Sequence, residues 1–517
     1  MDSQSNKILY HTSIYAIVHY ICSFLGLVRA FIVAKLLGPF LYGFRNVFDM
    51  TIGFSYLTHF GTMFGMNRAV PYYRGIGDQK KVNEILSSAF WANLIFLAGI
   101  SVLIITASFF LRAYAIIDSK YCDILLFTGF IIITNRLCLY YEVKLKLDKK
   151  VPVLSLLDLY GRIFGIVICI ILTYFFSLRG FFSGILITDV AQLLLYYKVD
   201  REIPGFKILY PVIKNLIKVG FPIMAVGLMT MVLGNTDKLM ILTYFSEEAL
   251  GFYGISAFIG MLLGMIPGKL YQITLPYIME EYGKTKDIHR IKNYFIDPTL
   301  IISYASPFAI AAIYFSIHIP IEYYLQKYIP SIAVIQILSL GYYFVILNTM
   351  ATSVCFAVNK QKYILYLTVP CIFINVTLNY ILIQQGMGIN GVAFGTSAVN
   401  FIFNASILML TVMQYEERYT KSFKFLSMIY LPFVYALFLM LSINFLFQKT
   451  FNELFSDAIY TAMKIIVFCL LYSLILVVIR NNPALQNLIV SIKNSKLKKR
   501  IVRLINYNKS SRARNVT

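Results

Sequence analysis

The chain is a succession of apolar runs, most of them about 20 residues long, the length a helix needs to cross the hydrocarbon of a bilayer. By that measure the runs fall near 12–33, 41–64, 84–110, 121–143, 152–176, 180–197, 218–243, 250–275, 293–317, 330–357, 361–384, 390–413, 425–447 and 457–479. Only 14% of the 517 residues are charged, against about 25% in a soluble globular chain, so there is too little charge to cover a water-facing surface. The expected fold class is an all-α integral membrane protein of about 14 transmembrane helices.

Loop charge sets the expected topology. With the N-terminus placed in the cytoplasm, 33 Lys and Arg fall in cytoplasmic loops and tails and 6 on the opposite side. Such an excess marks the cytoplasmic face, which puts both termini inside. The net charge of +22 is therefore largely a topological bias, with a basic tail from Lys493 to Arg514 suited to anionic lipid. Nucleic acid is not an expected partner. Met1 to His11 carries no cleavage-site pattern, so the first run is expected to remain as a helix. The seven cysteines are scattered and form no CxxC pair; they are expected to be small apolar packers.

The most informative stretch runs from Val219 to Gly268. It carries Asp237 and Lys238 inside an apolar run, breaks at Ser246-Glu247-Glu248 and resumes at Gly251. Shifted back by 208 positions, it meets a related pattern around Leu27–Val33 and Leu37–Gly43, with Gly43 on Gly251 and Arg29 on Asp237. Gly180–Gly184 and Gly391–Gly395 open the sixth and twelfth runs in the same way. Six spans per repeat leave both halves in one orientation, so the repeats are parallel and related by an axis along the membrane normal. The expected organisation is a six-helix bundle over 1–200, a second over 201–415, two extra transmembrane helices over 416–480 and a basic cytoplasmic tail over 481–517.

Several of these residues resemble a known family. Asp237-Lys238-Leu239-Met240-Ile241 followed by Ala249–Tyr253, the run Asn375–Ile383 with Gly388–Ala393, and Leu37-Gly38-Pro39 to Tyr42-Gly43 are similar to motifs of the O-antigen and capsule flippases. These form a branch of the multidrug/oligosaccharidyl-lipid/polysaccharide exporter superfamily. The resemblance covers roughly residues 8 to 480. It implies two six-helix bundles around a central cavity, alternating access and a lipid-linked (polyprenyl-pyrophosphate) oligosaccharide as substrate in the cytoplasmic membrane. It further implies a polysaccharide polymerase and glycosyltransferases as partners. The long basic tail and the aromatic first half depart from the family pattern.

Charges inside spans are costly and mark candidate sites. The substrate-binding candidates are Arg29, Arg45, Lys238 and Lys269; the coupling or gating candidates are Asp237 and Asp189. Arg29 is expected to face Asp237 across the two halves, either meeting the pyrophosphate or locking the bundles together. Asp158 and Arg162 stand four apart and are expected to pair within their helix, while Arg136 and Lys464 are expected to anchor. Lys and Arg outnumber acids within the runs, which favours an anionic substrate over the alternative, a multidrug/cation antiporter. No metal-ligand spacing, cofactor motif or phosphate loop is present. The histidines are isolated in sequence and His318 has no acidic neighbour except Glu322. The remaining alternative, a membrane-embedded glycan ligase or acyltransferase, therefore finds no catalytic constellation.

Overall fold

The computed structural model describes residues 2–148, 150–201, 204–358, 360–416, 419–447 and 453–479, all without strands. Side chains are described from Ile21 onward, apart from positions within 257–280 and 476–479. The helices in chain order are α1 (Asp2–Phe54), α2 (Thr62–Gly75), α3 (Gln79–Ala113), α4 (Ser119–Leu147), α5 (Val151–Val199), α6 (Tyr210–Leu233), α7 (Thr236–Tyr244) and α8 (Glu247–Gly254). They continue as α9 (Ala257–Thr285), α10 (Asn293–Ser316), α11 (His318–Tyr324), α12 (Ser331–Ala357), α13 (Gln361–Gln384), α14 (Gly388–Val412), α15 (Tyr419–Leu446) and α16 (Leu454–Ile479).

Eleven described helical stretches are long and apolar enough to cross a membrane. Two of them are double. The 49 residues of α5 would reach about 73 Å as one rod, more than twice the hydrocarbon thickness. The helix instead turns at Ser177 (φ 53°, ψ −131°), giving the fifth and sixth spans. α1 turns in the same way at Gly38 (φ 69°, ψ 170°), directly before Pro39. Glycine takes the left-handed angle at little steric cost, and proline suits the first turn of the helix that follows. Counting α8 with α9 as one further span gives fourteen, as the apolar runs imply.

The second and seventh spans are not continuous helices. The second leaves α1, passes through a 3₁₀ turn over Ser55–His59 and resumes as α2. The seventh ends α6 at Leu233 and restarts as α7 at Thr236. Asp237 therefore stands in the first turn of a short helix, where exposed N–H groups favour a carboxylate, and not in the middle of an unbroken span. The expected polar turn at Ser246 is present: its hydroxyl caps α8 by accepting from the Ala249 N–H at 3.2 Å.

The two repeats touch reciprocally. A Cβ on Gly43 would sit 1.8 Å from the Glu247 carbonyl oxygen, and one on Gly251 would sit 1.9 Å from the Pro39 carbonyl oxygen. Each glycine meets the carbonyl four residues before its counterpart, the signature of a self-complementary contact about a two-fold axis. Asn46 Nδ2 donates across the same seam to the Leu250 carbonyl at 3.2 Å, and the Tyr121 hydroxyl donates to the Glu247 carboxylate at 2.8 Å. A second glycine seam joins α2 to α6, where Gly61 and Gly65 face Gly220 and Leu216. The two spans can approach this closely because Gly61, Gly65 and Gly220 carry no side chain.

Candidate functional site

Four of the first six spans line a polar cavity of ≈ 430 Å³. Four helical segments build it, each presenting one face: Cys22 and Arg29 from α1, Asn135, Cys138 and Glu142 from α4, Asp158 and Arg162 from the first half of α5, and Asp189, Gln192 and Tyr196 from the second. Residues three, four or seven apart share a helix face, so these spacings aim the polar groups inward while the remaining residues face lipid and neighbouring helices. The Tyr196 hydroxyl donates to Asp158 Oδ1 at 2.5 Å. Asp189 Oδ2 is buried with no hydrogen-bond partner among the described residues. Glycines bring the two halves of α5 together beneath the cavity floor: Gly161 faces Gln192 and Gly165 faces Thr188.

Arg29 thus faces acids of its own half. Among the described residues no ion pair joins it to Asp237, and the expected Arg29–Asp237 contact does not form. Asp158 and Arg162 line the same cavity, but the carboxylate is satisfied by Tyr196 and not by an ion pair with Arg162 among the described residues.

Asp237 belongs to a separate buried region in the second half. It is 6% exposed, accepts the Lys238 N–H at 2.8 Å and receives the Tyr253 hydroxyl from α8. Thr396 on α14 is a neighbour of Tyr253. The Thr396 hydroxyl and Asn379 Oδ1 are both buried without a described partner, and Asn379 Oδ1 packs on Gly395, one residue from Thr396. Lys238 Nζ donates to Asn235 Oδ1 at 3.2 Å, turning away from its neighbouring carboxylate as adjacent helical residues must. Arg45 is neutralised locally: Asp49 lies 2.7 Å away, the guanidinium donates to the Tyr42 hydroxyl at 2.8 Å, and it stacks 4.9 Å over the Tyr42 ring. Lys269 lies on α9, but its side chain is outside the described residues. The tail from Lys493 is outside them as well.

Two features escape a reading of the sequence. Gln192 is the intrahelical neighbour the sequence offers Asp189, but Tyr196, seven positions on, extends the same face, a signal masked by the apolarity between them. His318 is not isolated: its Nε2 lies 3.1 Å from Asp457 Oδ2 on α16, a partner 139 residues away that ties the last helix to α11. Thr461 stands 3.5 Å from the same nitrogen, so the imidazole faces its acid and a hydroxyl of the same helix.

The fold has close counterparts among solved structures. An inward-facing multidrug resistance MATE family transporter of the MOP superfamily superposes with a TM-score of 0.65 at 16% identity, covering 77% of this chain and 98% of that one. The lipid II flippase MurJ in an inward closed conformation gives 0.64 at 14% identity, covering 90% of this chain and 99% of the other. A MOP superfamily transporter from Pyrococcus furiosus gives 0.51 at 14% identity, covering 79% and 95%. At these identities the likeness establishes the fold. No curated protein matches the sequence significantly. The family described as "Polysaccharide biosynthesis protein" matches residues 32–290, half of the chain. That match runs from the end of the first span past the eighth, and on it the chain belongs to the polysaccharide biosynthesis protein family.

Proposed function

We propose that the protein flips a lipid-linked oligosaccharide, carried on a polyprenyl pyrophosphate, from the inner to the outer leaflet of the cytoplasmic membrane by alternating access. The observation that carries this reading is the reciprocal Gly43/Gly251 seam. Two parallel halves meeting about one axis can rock against each other and expose the space between them to either side in turn. Family membership supports a polysaccharide precursor as cargo, and the 33 to 6 distribution of loop cations supports both termini in the cytoplasm. A polysaccharide polymerase and glycosyltransferases would supply and consume the substrate. Among the substrate-binding candidates, Arg29 and Lys238 have no carboxylate partner among the described residues and remain suited to an anionic group. Arg45, paired with Asp49, is better suited to positioning its helix, and Lys269 keeps its place by sequence alone.

Coupling falls to Asp189 and Asp237. Asp189 has an unpartnered oxygen in a cavity of ≈ 430 Å³, large enough for water or a small cation and too small for an oligosaccharide. Asp237 lies with the unpartnered oxygens of Thr396 and Asn379. The same cavity favours one second reading, the multidrug/cation antiporter, because Glu142, Asp158 and Asp189 outnumber Arg29 and Arg162 in it. Cells carrying Arg29→Ala test the choice. The flippase reading expects surface polysaccharide to be lost and lipid-linked precursor to accumulate at normal membrane protein level. Normal display with altered resistance to cationic drugs favours the antiporter.

A further inference from the structure

One cluster of buried donors has no role in the scheme above. At the break in the second span, the 3₁₀ turn Ser55–His59 is followed by Phe60 and Gly61 with φ of 45° and 83°. Arg136, near the middle of α4, reaches this turn. It donates to Ser55 Oγ at 2.8 Å and lies 5.9 Å over the Tyr56 ring. Its Nε–H is buried without a partner, and among the described residues no carboxylate pairs with its guanidinium. His59 is 2% exposed. Its Nδ1 accepts the Gly61 N–H at 3.0 Å, so the neutral ring carries its hydrogen on Nε2. That second donor is also buried without a partner. The Tyr56 ring stands 5.0 Å from His59 and joins the two groups.

The cluster sits where the halves meet. Tyr56 faces Gly227 of α6, whose Cβ would lie 3.4 Å from the ring, and Gly53 faces the Met231 sulfur of the same helix. α6 begins the second repeat. Buried donors without acceptors are unfavourable, and the half-buried Arg136 has no counter-charge among the described residues. Arg45, by contrast, is paired with Asp49. What the cluster lacks is an acceptor bearing negative charge. The planar fork of arginine matches the oxygens of a phosphate, and the imidazole N–H adds a donor beside it.

We propose that Arg136 and His59 bind a phosphate or diphosphate group of the ligand at the break in the second span, against α6 of the other half. The site rests on the lipid-linked reading for its ligand, but its chemistry requires only a phosphate anion. A group held there would contact both repeats and be in position to sense their relative movement.

Purified full-length protein in nanodiscs tests this with three probes: a polyprenyl diphosphate, the neutral polyprenol of equal length, and inorganic pyrophosphate. Arg136→Gln is expected to weaken polyprenyl diphosphate binding roughly ten- to a hundredfold, the range for one lost charged hydrogen-bond partner. Arg136→Lys should fall between, keeping the charge without the fork. His59→Leu should weaken the same probe, and polyprenol binding should not change in any variant. If Arg136→Gln fails to fold, Arg136→Lys and His59→Leu carry the test, with unfolding midpoints measured alongside. Wild-type affinity for the diphosphate in these variants overturns the site and leaves the lipid-linked reading standing. Arg136-dependent binding of pyrophosphate, with no binding of polyprenyl diphosphate, keeps the anion site and removes the lipid-linked reading.

Discussion

The two halves hold their carboxylates in different surroundings. Asp189 opens onto a cavity with one oxygen unpartnered, whereas Asp237 is held by Tyr253 and by its own helix N-terminus. Asp189→Asn and Asp237→Asn each remove a charge with little change of shape. If both carboxylates exchange an ion as the halves rock, either variant should bind lipid-linked substrate near wild-type strength but lose the response of flux to an imposed pH or Na⁺ gradient. Full gradient dependence in one variant assigns coupling to the other carboxylate, and full dependence in both excludes this route. Asp189 and Asp237 were legible in the sequence because charge in an apolar run is conspicuous. Their partners were not. Whether Arg29 faces Asp237 or the cavity of its own half depends on how α1 is rotated, and a turn of about 100° per residue separates those outcomes. The approach of Arg136 to His59 spans 77 positions and has no local signal at all.

Helices and their breaks obey simpler rules, and most were readable. Run length located the spans, and Gly38-Pro39 announced its turn. Ser177-Leu178-Arg179-Gly180 likewise separated the fifth and sixth runs, and the chain turns at Ser177, whereas the break between α6 and α7 was concealed by apolar residues on both sides. The glycine seams supply a paired test. Gly251→Ala would push a methyl to within 1.9 Å of the Pro39 carbonyl, whereas Gly264 has nothing within 4 Å among the described residues. Gly251→Ala should lower stability by roughly 1–3 kcal/mol, the range for overpacking, while Gly264→Ala should raise it by up to about 1 kcal/mol through helix propensity. Thermal unfolding in detergent reads both; equal shifts would mean that the seam is not tight. At the membrane edge, the hydrogen bond from Lys292, with Lys421 close by, holds the Glu416 carboxyl below the usual glutamate range. A depressed folded value contributes stability above the unfolded value of about 4.3 and loses it as pH falls through the folded one. Wild-type protein should therefore lose more stability below about pH 4.3 than Glu416→Gln does. Parallel loss in the two would show that the pair contributes nothing to stability.

On the scale of the whole molecule, two parallel six-span halves share one reciprocal seam, and two further helices attach through contacts such as His318 to Asp457. This arrangement has moving parts only if the seam opens. The most direct measurement is flux in reconstituted vesicles. A fluorescent lipid-linked oligosaccharide is placed in both leaflets, and its exposure to a membrane-impermeant quencher is followed with time. Wild-type protein is expected to bring the inner pool to the outer leaflet. A bulky Gly43→Leu variant, unable to close the seam against Glu247, should leave that pool protected although it inserts normally. An inner pool that stays protected with wild-type protein, under every imposed gradient, would contradict the flippase reading.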